Sequence, residues 1–330
     1  MSRDTKLVHA ARALQKLPLS AFRFVESPFV RMYRAGLKDI CQPIILLALP
    51  RSGSTLTYQV LTHGIQSVYL NNLGNVLYQL PYWGGLVSMA TCKNYQSDFQ
   101  SDLGFVQGMC GPAEGLRYWE YWMGNGLDDR SNEQYDLKLI NERMQYLKSV
   151  FSALMRDSRP VITGYLGHAL HVERLQLFFP NAVFIRLIRN PLDNALSILE
   201  ARMREGAGWL SLFPRECEAY LGRGLHKEVA AQVYWLNKRL DEVTAKNVFN
   251  VEYASLCTDP RGVLDDIVSY CHSAGLNVRR KNDLPPRFEM RARVNDENSE
   301  LIRGAFSELI MENGPLNTGW APQVMGKVYV

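Results

Sequence analysis

Residues 50–55 read Pro-Arg-Ser-Gly-Ser-Thr, after the apolar run 43–49 and before a segment with helical spacing (Leu56, Val60, Leu61). A strand that turns through glycine into a helix N-terminus is suited to an oxyanion. Gly53 lets the backbone bend and approach the ligand. The N–H groups of Ser54, Thr55 and Leu56 have no partner within the helix, so they point at whatever sits there. Ser52, Ser54 and Thr55 add hydroxyls, and Arg51 supplies a full charge. The triphosphate pattern GxxxxGK[ST] would need Gly at 48 and Lys at 54, and the chain has Ala48 and Ser54. No obvious acidic strand end supplies Mg²⁺, so the loop is a poor match to ATP. Taken alone, an ordinary polar strand-to-helix turn is the alternative.

A second anion site is legible at 183–197. Arg189 ends the apolar strand 182–188, and Asn190-Pro191 opens a helix that carries Ser197. With Asn190 as cap and Pro191 first in the helix, Ser197 lies about 9 Å up the axis at ~1.5 Å per residue. A strand-end arginine has the reach to meet that hydroxyl around one phosphate, and guanidinium geometry suits a dianionic phosphomonoester. The bland alternative for Arg189 is a surface ion pair.

The elements that must position these groups alternate between strand and helix. Residues 43–49, "RPVITGY", "AVFIRLI" and "VFNVEY" read as strands. Helical stripes run through Ile140, Met144, Leu147, Phe151 and Leu154, through 168–178, and through Leu192, Leu196, Leu199 and Met203. They recur at Val229, Val233, Leu236, Leu240 and Val243, and after the Asp259-Pro260 cap at Val263, Ile267 and Cys271. This alternation predicts an α/β fold of three layers, a parallel sheet flanked by helices. A basic N-terminal segment, 1–40, precedes one domain, 41–330. The segment 69–132, rich in Gly, Trp and Tyr, reads as a loop-rich substrate lid, and the tail after Arg279 reads as irregular.

"PRSGST" resembles the 5′-phosphosulfate loop of sulfotransferases that use 3′-phosphoadenosine 5′-phosphosulfate (PAPS). "FPNAVFIRLIRNPLDNALS" is similar to that family's 3′-phosphate motif, with Arg189 and Ser197 in its two places. "VEYASLCTDPRGVLDDIVSYC" resembles its later strand–loop–helix, which puts Tyr253 near the adenine, and "NTGW" at 317–320 is similar to its closing Gly-Trp loop. The resemblance covers about 43–325, with a diverged stretch at 70–135. It implies the P-loop-like sulfotransferase fold of a diverged bacterial-type member. It also implies PAPS as co-substrate held by Arg51 to Leu56, Arg189, Ser197 and Tyr253, and no metal.

Sulfuryl transfer needs a base for the acceptor, and here the chain departs from the family. Where some members carry a glutamate, this sequence has Asn71 and Asn72, which can only orient an acceptor hydroxyl. Where many carry a lysine, it has Gly164. Two candidate bases remain. Glu114 lies among aromatics in "CGPAEGLRYWEYW", where partial desolvation would raise its pKa; a helix cap or a pair with Arg117 is the alternative. His168 sits at a strand end where open α/β sheets place ligands; a water-facing helix-start residue is the alternative. His171 and Glu120 are weaker. Trp119 and Trp122 beside acidic residues suit a sugar ring, or a cationic small molecule through cation–π contact; lid core is the alternative. A carbohydrate hydroxyl is the leading acceptor and a small natural product the next. A P-loop kinase and a degenerate binding module are the rival readings.

Composition sets outer limits. Thirty-seven basic against 33 acidic residues, formally +4, give no case for nucleic acid. Six scattered cysteines with no CxxC pair suggest free thiols in a reducing compartment, hence a cytoplasmic protein. No apolar run approaches the ~18–20 residues that span a bilayer. Residues 1–38 hold eight Arg or Lys against Asp4 and Glu26, with Leu7, Ala11, Leu14 and Leu17 on one helical face. Such a segment is a surface helix, a peripheral membrane contact or a targeting segment.

Overall fold

The apolar run at 44–47, and the one at 183–188 broken by Arg186, whose charge is paired with Asp241, are what strands covered on both faces require, and they form the middle of the sheet. The computed structural model describes residues 19–34, 41–102, 104–124, 126–130, 136–155, 159–206, 208–290 and 296–318. Five strands, β1 (Ile44–Leu47), β2 (Val68–Tyr69), β3 (Val161–Thr163), β4 (Val183–Ile188) and β5 (Val248–Glu252), lie in the order β2-β3-β1-β4-β5. Every pairing is parallel. All of β1 and β4 is buried. Each fully covered Leu or Ile there contributes roughly 1.5–3 kcal/mol, so the centre of the sheet is a firm base for whatever its strand ends carry.

The helices are α1 (Leu19–Arg34), α2 (Ser54–Gly64), α3 (Asn72–Val76), α4 (Pro81–Thr91), α5 (Leu116–Met123) and α6 (Leu137–Leu154). They continue with α7 (Val172–Phe178), α8 (Pro191–Glu205), α9 (Leu225–Asp241), α10 (Tyr253–Thr258), α11 (Pro260–Ser273) and α12 (Glu297–Asn313). Asn190 and Asp259 cap α8 and α11 as expected: each side chain accepts backbone N–H bonds, and a proline follows at the first helical position.

Three expectations are corrected. The helix expected over 168–178 is two pieces, a 3-10 turn (Leu166–Leu170) and α7, broken at His171. The tail is not all irregular. Its helix α12 opens on a capping box between Asp296 and Ser299 and buries Ile302, Ala305, Phe306 and Leu309, a spacing the sequence carried. Segment 69–132 is less loop-rich than its composition suggested, because it opens on the last residue of β2 and holds α3, α4 and α5. The stripe at Leu7 to Leu17 and the Gly-Trp of "NTGW" lie outside the described residues. The adjoining Asn317 N–H is anchored on Asp241 Oδ2 at 2.8 Å.

Candidate active site

β1 runs to its C-terminal end at the sheet centre, and the chain leaves toward β2 on one side. From the neighbouring β4 it leaves toward β5 on the other. The crevice between those strand ends is the switch point where open α/β sheets take ligands. The loop 50–53 hangs there from β1, and Arg189 from β4.

The loop is held in an uncommon conformation. Arg51, a non-glycine residue, sits at φ 60°, which costs on the order of 1 kcal/mol. Two side chains from the β4–α8 unit hold it so: Asn194 Nδ2 donates to Pro50 O at 2.7 Å, and Arg189 Nη1 donates to Arg51 O at 2.7 Å. Gly53 follows at φ 103° and caps α2 without a side chain. A Cβ there would stand 2.3 Å from Cε2 of Tyr253, so only glycine fits both the backbone and the neighbour. Beyond it, Ser54 and the next residues begin α2 with their N–H groups at its positive end.

Tyr253 joins the two motifs. Its ring lies against Gly53, and the Arg189 guanidinium lies 4.8 Å from the ring centroid. Burial pushes the Tyr253 hydroxyl up to about 12, so the ring stays neutral beside the cation. The Arg51 carbonyl, Gly53, Arg189 and Tyr253 therefore lie together at the switch point. Ser197 sits buried two turns into α8.

Across the loop stands the 69–132 insertion. Thr55 Oγ1 donates to Gly104 O at 3.4 Å. A Cβ on Gly104 would come 3.4 Å from Thr55 Oγ1 and 4.0 Å from Glu114 Oε1, which brings the carboxylate beside the start of α2. Glu114 is half-buried, and desolvation pushes its carboxyl up to about 7. It is not the cap of α5, which is Gly115, and Arg117 acts on Glu120 instead. Backbone pairing fixes its place: Ala113 N donates to Leu70 O at 2.9 Å, Asn72 N to Gly111 O at 3.0 Å and Leu73 N to Met109 O at 2.9 Å. The result is a basic carboxylate near the anion loop.

Other sequence candidates serve structure. Ser52 Oγ donates to Leu49 O at 2.8 Å, so its proton closes the turn and does not face an anion. His168 is fully buried, with Nε2 3.0 Å from Thr163 Oγ1 and its ring edge-on to Trp119 at 4.5 Å. Burial lowers its pKa to about 3, so it stays neutral and away from an acceptor. His171 is likewise buried and lowered to about 4. Asn71 is buried as the cap of α3, accepting from Gly74 N and Ser88 Oγ, and Asn72 Nδ2 donates to Val106 O and Gly108 O. Both side chains are taken up inside the protein: Asn71 ties α3 to α4, and Asn72 pins the loop that leads to Glu114. Trp119 and Trp122 are each 1% exposed, core rings and not a sugar platform. Their spacing on a short helix gave no sign of which face turned inward.

The free-thiol expectation also fails in part. Cys92 and Cys110 form a disulfide between the end of α4 and the loop before Glu114, while Cys41, Cys217, Cys257 and Cys271 are free and buried. Such a bond persists in oxidising surroundings. The two cysteines lie 18 positions apart with no motif between them, so only folding reveals the pair. Asn194 was missed because an asparagine inside a helix carries no signal until Pro50 O stands opposite it. Gly164, where the resemblance anticipated lysine, has its own reason: a Cβ there would come 2.6 Å from the Tyr58 ring, whose hydroxyl bonds Leu70 O and Ile162 O.

The fold is a five-stranded parallel α/β sheet with a glycine-turned loop and a strand-end arginine at its switch point. The chain matches the Sulfotransferase family over residues 43–274 and belongs to it. Among solved structures it is similar to sulfotransferase STF9 from Mycobacterium avium, at 16% identity and a TM-score of 0.48 over 91% of this chain and 74% of that one. It is also similar to a sulfotransferase from Alicyclobacillus acidocaldarius, at 15% identity and a TM-score of 0.40 over 82% and 93%. A third is a sulfotransferase domain from the curacin biosynthetic pathway, at 19% identity and a TM-score of 0.41 over 70% and 74%. No curated protein sequence matches the chain.

Proposed function

We propose that this sulfotransferase takes the sulfuryl group from PAPS and passes it to an acceptor hydroxyl, with Glu114 as general base. One observation carries the reading: the Arg189 guanidinium bonds the carbonyl of Arg51 and lies over the Tyr253 ring that covers Gly53. A donor with a 5′-phosphosulfate on the loop and a 3′-phosphate at Arg189 and Ser197 fits a crevice built in this way, with Tyr253 available to the adenine.

The acceptor oxygen attacks sulfur as the bond from sulfur to the 5′-phosphate oxygen breaks. The electron pair leaves with 3′,5′-diphosphoadenosine, and the acceptor proton passes to Glu114. Arg51 and the α2 N–H groups steady the charge that grows on the leaving phosphate. A carboxyl raised to about 7 is matched to taking a proton near neutrality. The carbohydrate acceptor expected from Trp119 and Trp122 loses that support, so sugars and small-molecule alcohols stand as equal classes to try. Labelled PAPS, offered with both classes with and without EDTA, tests the reading. Label on an acceptor, unaffected by chelator, supports it; binding of 3′,5′-diphosphoadenosine with no transfer to any acceptor overturns it in favour of a binding module.

A further inference from the structure

Helix α1 has two apolar faces, and only one is covered. Its inner face, Glu26, Val30 and Tyr33, packs toward α4 and α6. Glu26 is 1% exposed and accepts hydrogen bonds from Trp83 N at 2.8 Å and the Tyr146 hydroxyl at 2.7 Å. Those bonds fix how the helix is rotated. The outer face then carries Phe24 (82% exposed), Val25 (57%), Pro28, Phe29 (40%) and Met32 (57%). These positions, i, i+1, i+4, i+5 and i+8, form one stripe along the helix. Other exposed large apolar residues among the described ones are scattered over many elements; here four fall within nine residues. Phe29 meets the half-buried Trp83 edge-on at 5.1 Å, which carries the apolar surface onto α4.

The charge beside this stripe has one sign. Between residues 24 and 33 the acid is Glu26, turned inward, and the base is Arg31, exposed. Residues 1–38 hold eight Arg or Lys against two acids, and one of those acids is the buried Glu26. A protein partner with an apolar groove would need no such excess. Exposed aromatics and methionine beside the exposed Arg31, in a segment whose sequence is strongly basic, match the boundary of an anionic bilayer, where rings enter the acyl region and cations meet headgroups. No helix of the described residues is long and apolar enough to cross a membrane, so the contact is parallel to the surface.

We infer that the outer face of α1 docks this enzyme on an anionic lipid surface. The sulfuryl-transfer reading is not required for this, and the test does not use it. The full chain is sedimented with phosphatidylcholine vesicles, with and without phosphatidylserine, at low and high salt. The expected result is binding that needs phosphatidylserine and is weakened by salt. The double variant Phe24→Ser/Met32→Ser, whose side chains are in solvent, should bind at least ~10-fold more weakly while keeping the wild-type thermal melt. Arg31→Glu is the second variant and should also weaken binding with the melt unchanged. Failure of the wild type to bind, or full binding by both variants, overturns the inference. So does a wild-type dimer in analytical ultracentrifugation that the double variant abolishes, since a second copy would then cover the face.

Discussion

The donor side of the crevice and the insertion facing it are built by different means. The donor side is made at strand ends: a loop after β1, an arginine after β4 and a tyrosine after β5, cross-linked by Asn194 to Pro50 O and Arg189 to Arg51 O. Its positions follow from the register of a buried parallel sheet, which leaves little freedom. The insertion opens on the last residue of β2 and holds three helices, of 5, 11 and 8 residues. It holds Glu114 through backbone pairing with 70–73, the Asn72 side chain and a disulfide. Under the proposed function, anion binding rests on the core, whereas proton removal rests on a region that folding must staple into place.

The largest effect should fall on the insertion side. Glu114→Gln is expected to cut turnover by roughly 10²–10⁴ while leaving nucleotide affinity intact. Because the base works deprotonated, wild-type turnover should rise with pH through about 7, and the variant should lose that rise. A variant with wild-type turnover would break the contrast between a binding side and a reacting side. The paired substitution Cys92→Ser/Cys110→Ser should come next. Opening a loop of this length costs about 3 kcal/mol in urea unfolding, and turnover should fall further than affinity for 3′,5′-diphosphoadenosine. Equal losses in both would mean that the staple serves the whole fold.

On the donor side, Arg189→Ala should weaken PAPS binding by some tens of fold, on the order of 2 kcal/mol. Binding of adenosine 5′-phosphosulfate, which lacks the 3′-phosphate, should fall less, by the part of the loss that comes from releasing the Arg51 carbonyl; isothermal titration of both ligands decides. The smallest effect concerns the helix that leans on the insertion. Burial holds Glu26 protonated up to about 7 in the folded chain, against 4.5 ordinarily. The folded state thus binds more protons between those values, and stability falls as pH rises from about 4.5 to 7. Glu26→Gln should remove that slope and stabilise the protein at pH 8 by roughly 1–2 kcal/mol, with no gain at pH 4. Glu114 adds a second slope of the same sign, so urea unfolding of the variant should retain part of the fall.

How much was legible differs in the same way. Four of the five strands, the caps at Asn190 and Asp259, the glycine turn after β1 and the arginine at the end of β4 were readable, because each is a local pattern, whereas the two-residue β2 was not. The inward turn of Trp119 and Trp122, the burial of His168, the structural duties of Asn71 and Asn72 and the Cys92–Cys110 bond were not. Each depends on which neighbour lies across space.

The sequence by itself determined the parallel sheet and the chemistry of its loop, since hydrophobic periodicity, a glycine and a strand-end arginine act over a few residues. Tertiary structure alone decided that Glu114 and not His168 stands near that loop, because desolvation and access are set by packing. It also decided which face of α1 meets solvent: Glu26 is fixed against Trp83 and Tyr146, 57 and 120 residues away, and no local pattern encodes partners at that distance.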